Sequence, residues 1–245
     1  MTTVVKLGGS VITEKDRADT LDGAALDRLA DEIAAADVSD LVVVHGGGSF
    51  GHHHASEHGV SKTTGSTDAG AAVDINGAMK TLNEFVLARL HDRGVPAVPV
   101  HPFSVAYRDA DATLTLPTGQ VETMLAEGFV PVLHGDVVAH AGEGVTVVSG
   151  DELVVSVARG LDADRVGFCS TVPGVLDADD RVVERIDAYD EVADVLGDSD
   201  ATDVTGGMAG KVDALLDLAT PASIFGPDDL GAFLAGENPG TLIEG

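Results

Sequence analysis

The chain has 245 residues and a formal net charge of −27 at pH 7, with 14 Lys and Arg against 41 Asp and Glu. This charge disfavours partners such as nucleic acid or anionic membranes, and we expect no membrane span because no apolar run is long enough. The first residues lack the basic segment of a secretory leader, and a single cysteine excludes an intramolecular disulfide, which together favour a cytoplasmic location.

Short apolar runs alternate with amphipathic segments along the chain. In chain order the pattern predicts strand 3–7, helix 21–36, strand 40–48, a short helix 52–59, a polar mobile segment 60–68, a long helix 69–93, strand 97–103, helix 118–128, strand 129–136, a strand passing through a turn into a helix over 145–161, strand 164–171, a Gly-rich turn into a helix over 205–219, and strand, helix and strand over 222–245. Apolar strands between amphipathic helices are typical of an α/β fold with a mostly parallel sheet covered on both faces. No linker interrupts the pattern, so we expect a single domain, 1–245.

Acidic residues are scattered along the whole chain rather than gathered in one tail. A docking surface for a basic partner would concentrate its charge, whereas a scattered coat suits solvation in a high-salt cytoplasm. We therefore expect an acidic, halophilic surface.

Glycine pairs and triplets follow two of the predicted strands. The sequence KLGGS spans Lys6–Ser10, and HGGGS spans His45–Ser49. Glycines at a strand end allow backbone N–H groups to approach a phosphate closely, and a lysine adds charge to the same space. For KLGGS alone, a plain tight turn with a solvated lysine explains the pattern equally well. Two such turns at neighbouring strand ends favour two phosphate groups facing each other.

A third Gly-rich turn, TGGMAGK, spans Thr205–Lys211 and leads into a helix. It is neither a Walker A sequence nor a dinucleotide fingerprint, because the glycine spacing fits neither motif. The turn Ser149-Gly150-Asp151 precedes another helix, where N–H groups form an anion site. Asp151 has two open interpretations, a helix cap or a catalytic group. Nucleophilic catalysis by a serine is poorly supported, and we interpret Ser149 as part of this turn.

Four histidines follow the second glycine turn. His54 and His58 have the i,i+4 spacing of zinc ligands, but the sequence offers no third ligand nearby, and HExxH is absent. We therefore interpret His53, His54 and His58 as a solvated helix face and expect no resident metal. His52 differs because it closes GGGSFGH, directly beyond the flexible glycines.

Taken together, these motifs resemble the amino acid kinase superfamily, in the right order from Lys6 to Lys211. The SFGH sequence after the glycines is similar to that of isopentenyl phosphate kinases within it, and fosfomycin kinases share the histidine. The resemblance implies a three-layer α/β/α sandwich, a homodimer, and transfer of the γ-phosphoryl of ATP, with Mg²⁺ carried on the ATP, to isopentenyl phosphate, with dimethylallyl phosphate as a second acceptor. The product, isopentenyl diphosphate, belongs to isoprenoid biosynthesis by the archaeal-type mevalonate route.

The resemblance also implies roles for individual residues. Lys6, Lys15 and His52 are the expected catalytic residues, with Lys15 acting on the transferring phosphoryl group. The expected acceptor site consists of Gly47, His52 and Gly150. The expected ATP site consists of Lys6, Leu7, Gly8, Gly9, Ser10, Gly48, Thr171, Gly207 and Lys211. In this scheme residues 1–160 form the substrate side and 161–245 the nucleotide side.

Two alternatives remain open from the sequence. One is a kinase of another small phosphate or phosphonate such as fosfomycin. The other is a non-catalytic nucleotide-binding protein, which retention of both Lys6 and Lys15 disfavours, since binding alone needs fewer cations. For the isopentenyl chain, we expect one or two residues of an apolar stripe on the long helix to form a wall. That stripe consists of Ala72, Ile75, Met79, Leu82 and Val86.

Overall fold

The computed structural model describes residues 1–196 and 207–245. The strands are β1 Thr2–Leu7, β2 Asp40–His45, β3 Ala97–Val100, β4 Tyr107–Arg108, β5 Leu114–Thr115, β6 Val130–His134, β7 Asp136–His140, β8 Gly144–Val148, β9 Arg165–Cys169, β10 Arg185–Ile186, β11 Ala222–Phe225 and β12 Thr241–Ile243. The α-helices are α1 Gly9–Ile12, α2 Gly23–Ala35, α3 Gly48–Glu57, α4 Ala69–His91, α5 Pro102–Val105, α6 Gly119–Ala126, α7 Gly150–Gly160, α8 Ala193–Leu196, α9 Gly207–Leu216 and α10 Leu230–Leu234.

The main sheet has the strand order β10-β12-β11-β9-β1-β2-β6-β3. From β11 to β3 all neighbours are parallel, and β12 runs antiparallel to β11. The predicted mostly parallel sheet is therefore confirmed. Because β1 lies between β2 and β9, the carboxyl ends of these three strands meet at one edge.

Apolar side chains on alternate positions of β1 and β2 cover the two faces of the sheet. Val4 and Val44 belong to the core on the side of α7, whereas Val5 and Val43 belong to the core on the side of α2 and α4. Since successive side chains of a strand point to opposite faces, continuous apolar strands require helices on both sides. The result is the expected three-layer α/β/α arrangement.

A second sheet, of order β5-β4-β7-β8, was not predicted. Arg108 of β4 ties it to α7, with Nη2 2.6 Å from Glu152 Oε1. Segment 60–68, which we expected to be mobile, hydrogen-bonds to the edge of β8: Ser66 N donates to Val145 O and Val147 N donates to Ser61 O.

One predicted helix begins at a different residue in the structure. The helix expected over 52–59 begins four residues earlier, at Gly48, so the glycine turn itself forms its first turn. The helix expected over 205–219 is described from Gly207, and Thr205 and Gly206 lie outside the described residues. The long helix ends at His91, close to its predicted end, and Gly94 follows with φ +78°.

Candidate active site

The two glycine turns after β1 and β2 are in direct backbone contact. A Cβ on Gly9 would overlap the backbone of Gly48, and Gly48 itself has φ +50°, which favours glycine. Thr13 bridges the two turns, because its hydroxyl donates to Gly9 O at 2.8 Å and accepts from Ser49 N at 3.0 Å. The glycines therefore allow the two backbones to touch, which an added side chain would prevent, and this contact of the two turns forms a cradle of backbone groups.

Two lysines and one carboxylate meet beside this cradle. Lys6 Nζ lies 2.5 Å from Asp151 Oδ1. Lys6 and Lys211 both approach the ring of Phe168, with Nζ 5.9 Å and 5.7 Å from its centroid. Burial alone would raise the pKa of Asp151, but the charges of Lys6 and Lys211 outweigh it and hold that pKa below its usual value. Two lysine ammonium groups near this end of β1 suit a phosphate ligand.

The structure separates the two open interpretations of the turn before α7. Ser149 is the N-cap of α7, and its hydroxyl accepts from Glu152 N at 3.2 Å. The Glu152 carboxylate accepts in return from Ser149 N at 2.9 Å, which completes a capping box. Asp151 is therefore not the cap, and its side chain is directed to Lys6.

Gly47 and Gly150 lie together, and Gly135 joins them. A methyl group built on Gly135 would lie 3.5 Å from Gly150 N and 3.6 Å from Gly47 N. A methyl group on Gly150 would lie 3.0 Å from Lys6 Cε, so a glycine there allows the lysine stem to pass. The sequence analysis missed Gly135, although it follows a strand and a histidine as Gly46 does.

Two buried histidines hydrogen-bond to the carbonyl groups of the strand-end glycines that follow them. His45 Nδ1 lies 3.1 Å from Gly46 O, and His134 Nδ1 lies 3.0 Å from Gly135 O. The rings stack with centroids 5.7 Å apart. Burial lowers the pKa of His45 to about 4 and, with the neighbouring His45, that of His134 to about 3. Both rings are neutral at pH 7, so each Nδ1 carries the proton and donates to the carbonyl that follows.

With the proton on Nδ1, the Nε2 atom of each ring is a hydrogen-bond acceptor. His134 Nε2 accepts from His101 Nδ1 at 2.9 Å. His45 Nε2 lies 3.1 Å from the atom placed as Oδ1 of Asn83, and the Nδ2 of that amide has no partner among the described residues. Orienting that amide with Nδ2 toward His45 satisfies both atoms. Because the C=O and N–H of a trans peptide point in opposite directions, the His45 bond directs the N–H of Gly47 away from the ring. In the sequence, the sign of these bonds is limited to a histidine before each strand-end glycine.

Asp136 is a buried carboxyl next to these turns. It accepts from Asn76 Nδ2 and from Val137 N, both at 2.8 Å. Burial raises its pKa to about 7. It was not among the residues singled out from the sequence.

The remaining predicted residues lie around this edge of the sheet. Lys15 is exposed in the segment between α1 and α2, and no ion-pair partner for it is found within residues 1–196 and 207–245. His52 is exposed on α3. On the other side, Thr171 follows β9, and Gly207, with φ +58°, begins the helix that carries Lys211.

The interpretation of His54 as a solvated residue is wrong. Its side chain is only 18% exposed, and its two ring nitrogens contact the carboxylates of Asp74 and Asp19. His53 is 43% exposed and pairs with Glu57. His54, Glu57 and Asp74 place their ligand atoms within 4.8 Å of one another, so the third group that the sequence lacked is present in space. The bonds of His54 to two carboxylates favour a protonated ring, which does not bind a metal.

Comparison with known proteins supplies the family. A model of the amino acid kinase family matches residues 1–225. A protein of Haloferax volcanii named isopentenyl phosphate kinase is 62% identical over 99% of this chain and 98% of its own. A protein of the same name from Methanocaldococcus jannaschii is 32% identical over 100% of this chain and 99% of its own.

A solved structure titled "X-ray structures of isopentenyl phosphate kinase" superimposes with a TM-score of 0.84 at 30% identity, over 99% of this chain and all of the other. Within the described ranges, no helix is both long and apolar enough to cross a bilayer.

Proposed function

The chain belongs to the amino acid kinase family, and we propose that it transfers the γ-phosphoryl group of ATP to isopentenyl phosphate, giving isopentenyl diphosphate. The observation that carries this proposal is the cluster of Lys6, Lys211 and Asp151 beside the touching glycine turns. It gathers positive charge and backbone N–H groups at one place in a protein whose net charge is −27. The relatives named isopentenyl phosphate kinase support the choice of acceptor.

ATP suits this edge of the sheet because glycine turns follow both β1 and β2, where backbone N–H groups can approach phosphates, and the lysines provide the countercharge. Bound ATP supplies the phosphoryl group, and the Mg²⁺ that it carries neutralises part of the phosphate charge. We assign the ATP phosphates to Lys6 and the turn Gly8–Ser10, with Leu7, Gly48, Thr171, Gly207 and Lys211 completing the ATP site. We assign the remainder of the nucleotide to the side of residues 161–245, which contributes Thr171, Gly207 and Lys211.

The acceptor phosphate is assigned to Gly47, Gly150 and His52, on the side of residues 1–160. A phosphate monoester is already ionised near neutral pH, so its attacking oxygen needs no general base. Asp151 agrees with this scheme, because its carboxylate is engaged by Lys6 and is not available to take a proton. The work left to the protein is alignment and charge neutralisation, to which Lys15 and the N–H of His52 contribute at the transferring phosphoryl and the acceptor.

An apolar cluster between α3, α4 and the second sheet suits the five-carbon chain of the acceptor. Its buried members are Ala55, Val60, Ile75 and Val137. Of the helix stripe predicted to line this slot, Met79, Leu82 and Val86 instead belong to the core cluster that also contains Val43 and Val132 of the sheet. Ile75 is the stripe residue that we assign to the substrate.

Three further properties belong to the proposal. We infer a homodimer from the family resemblance, a cytoplasmic location from the single cysteine, which is buried, and an acidic coat adapted to salt from the net charge. Light scattering tests the dimer. Thermal unfolding in 0.1 M and 2 M NaCl tests the coat, which predicts a higher melting temperature at high salt because self-repulsion is screened.

A coupled ADP-release assay tests the function, with isopentenyl phosphate, dimethylallyl phosphate, fosfomycin, UMP and glutamate as acceptors. We expect the highest kcat/KM with isopentenyl phosphate and lower turnover with dimethylallyl phosphate. Preference for fosfomycin would favour the alternative kinase. Turnover confined to UMP or glutamate would overturn the proposal, and ATP binding without turnover of any acceptor would favour the non-catalytic alternative.

A further inference from the structure

His54 joins three separate parts of the protein. Its ring is carried by α3, and Nδ1 lies 2.7 Å from Oδ2 of Asp74 on α4. Its Nε2 lies 3.2 Å from both carboxylate oxygens of Asp19, in the segment between α1 and α2. The sequence spacing of the histidines gave no sign of this bridge, because both carboxylates are distant from His54 along the chain.

The surroundings of His54 favour its protonated form. A carboxylate only accepts hydrogen bonds, so two carboxylates on opposite ring nitrogens require two N–H groups. Other groups face the same ring from α3: Glu57 lies within reach, His53 packs edge-on with centroids 5.6 Å apart, and His58 Nε2 lies 2.9 Å from Asp74. Burial lowers the pKa of His54, but the hydrogen bonds to Asp74 and Asp19 outweigh it and raise that pKa above its usual value.

Asp19 belongs to the same segment as Lys15. The ends of this segment are anchored by backbone bonds, with Glu14 N donating to Thr20 O, and by Ser49 Oγ, which donates to Thr20 O. Between those ends, in the part of the chain that the structure describes, Asp19 is the residue whose side chain bonds to another element. Asp19 also has φ +49°, a left-handed conformation that costs a non-glycine residue of order 1 kcal/mol and persists when its surroundings fix it.

We infer that His54 is a positioning residue, which holds Asp19 and thereby fixes the segment 14–20 so that Lys15 is kept in place for phosphoryl transfer. The inference rests on the proposed function through the role of Lys15. His54 itself touches neither substrate in this scheme. An ordinary ion pair near the surface would contribute little to stability and would leave turnover unchanged.

The test compares His54→Gln with His53→Gln, a matched change at the neighbouring residue, whose ring pairs with Glu57 and, within the described residues, bonds to neither Asp19 nor Asp74. Steady-state kinetics with ATP and isopentenyl phosphate are measured from pH 6 to pH 9. We expect His54→Gln to lower kcat about 10-fold with less than a twofold change in the KM for isopentenyl phosphate, because Lys15 acts mainly on the transition state. His53→Gln keeps the wild-type values.

The pH profile and a double-mutant cycle separate positioning from a general loss of stability. Wild-type kcat should fall as the pH rises through the raised pKa of His54, since the neutral ring retains one N–H for two carboxylates. This limb should be absent from His54→Gln. Asp19→Asn should lower kcat by a similar factor, and the double variant should be no slower than either single one. Wild-type turnover in His54→Gln, or losses that multiply in the double variant, would overturn the inference.

Hydrogen–deuterium exchange without substrate distinguishes this inference from the proposed function. We expect faster exchange of segment 14–20 in His54→Gln, unchanged exchange in His53→Gln, and the same melting temperature within a few degrees. Unchanged exchange in His54→Gln would refute the positioning role even if the protein is an isopentenyl phosphate kinase. Faster exchange in a protein that fails to phosphorylate isopentenyl phosphate would refute the proposed function and leave the attachment of the segment established.

Discussion

Two charged clusters in this protein differ in the sign of the central group, which is a carboxylate in one and an imidazole in the other. Beside the glycine turns, the carboxylate of Asp151 is held by Lys6 and lies in the field of Lys211. In the C-terminal half of α3, the imidazole of His54 bonds to the carboxylates of Asp74 and Asp19. In the first cluster two lysines lie near one carboxylate, and in the second two carboxylates bond to one imidazole.

The difference shows how a protein of net charge −27 handles anionic substrates. Acidic groups are abundant over the chain, so a negative cluster such as that around His54 needs little beyond ordinary composition. A positive cluster has to be assembled from the few lysines available, and here Lys6 and Lys211 come from distant parts of the chain to the ring of Phe168. The positive cluster is therefore the stronger indicator of function.

Removing a cation from the positive cluster should have the largest effect. We expect Lys6→Met to lower kcat by on the order of 10²–10³-fold, because one preorganised donor to the transferring phosphates is lost. Stability should also fall, since Asp151 keeps its buried carboxylate with one countercharge fewer. ADP release and thermal unfolding measure the two effects.

Arg181→Met is the control for Lys6→Met, because Arg181 pairs with Asp179 on the surface and its side chain is 75% exposed. It removes one positive charge from the protein without touching the cluster. Equal losses in the two variants would mean that the general field of the protein, rather than the cluster, sets the rate.

His52 lies on α3 between the glycine turn and His54, and its removal should have the next largest effect. We expect His52→Ala to lower kcat by on the order of 10²-fold through loss of a donor to the acceptor phosphate. The comparison with His54→Gln sharpens the assignment, because a group that contacts substrate should cost more than one that acts through Asp19. A decrease in kcat that is smaller in His52→Ala than in His54→Gln would contradict this assignment, because it would make His54 the residue that contacts substrate.

Asp136 shows what happens to a buried carboxyl that lacks a lysine in contact. Its pKa is raised from 3.8 to about 7, so the folded state binds its proton more tightly than the unfolded state. Its contribution to stability is therefore fully present below pH 4 and is lost as the pH rises toward 7, by at most about 4 kcal/mol.

Asp136→Asn should remove this dependence, because asparagine is neutral at every pH. We expect the difference in the free energy of unfolding, variant minus wild type, to grow in favour of the variant between pH 5 and pH 8. Urea unfolding at each pH measures it. A difference that stays constant with pH would mean that Asp136 is ionised in the folded protein, as Asp151 is.

Much of the fold follows from short-range pattern. The apolar strands and their helices have clear periods, and the glycine turns mark the strand ends, so the parallel sheet and the edge that carries the site were predictable. The second sheet was not, because β4 and β5 are strands of two residues each and no period can be read from so few. Their pairing is set by β7 and by the bond from Arg108 to Glu152.

The contacts of the candidate site were predictable where both residues of a contact belong to one sequence motif. They were not predictable where packing brings together residues that are distant along the chain. Ser149-Gly150-Asp151 suits a helix cap or a catalytic group equally, and the capping box between Ser149 and Glu152, together with the approach of Lys6 to Asp151, excludes Asp151 as the cap. His54 appeared solvated because its carboxylate partners lie on other elements. His134 gave no signal because its bonds to Gly135 and His101 depend on the sheet register and on burial.

The smallest expected effect compares a protonated and a neutral histidine on the same stretch of chain. Raising NaCl from 0.1 M to 1 M shortens the screening length from about 10 Å to about 3 Å, so the raised pKa of the partly exposed His54 should fall. His45, whose pKa is lowered to about 4 by burial, should remain neutral from pH 5.5 to pH 8 at either salt concentration. Imidazole ¹⁵N shifts report both rings in one titration. Protonation of His45 within this range would mean that water reaches the base of the glycine turns, and a salt-independent pKa for His54 would mean that carboxylates other than the half-exposed Asp19 and Asp74 hold its charge.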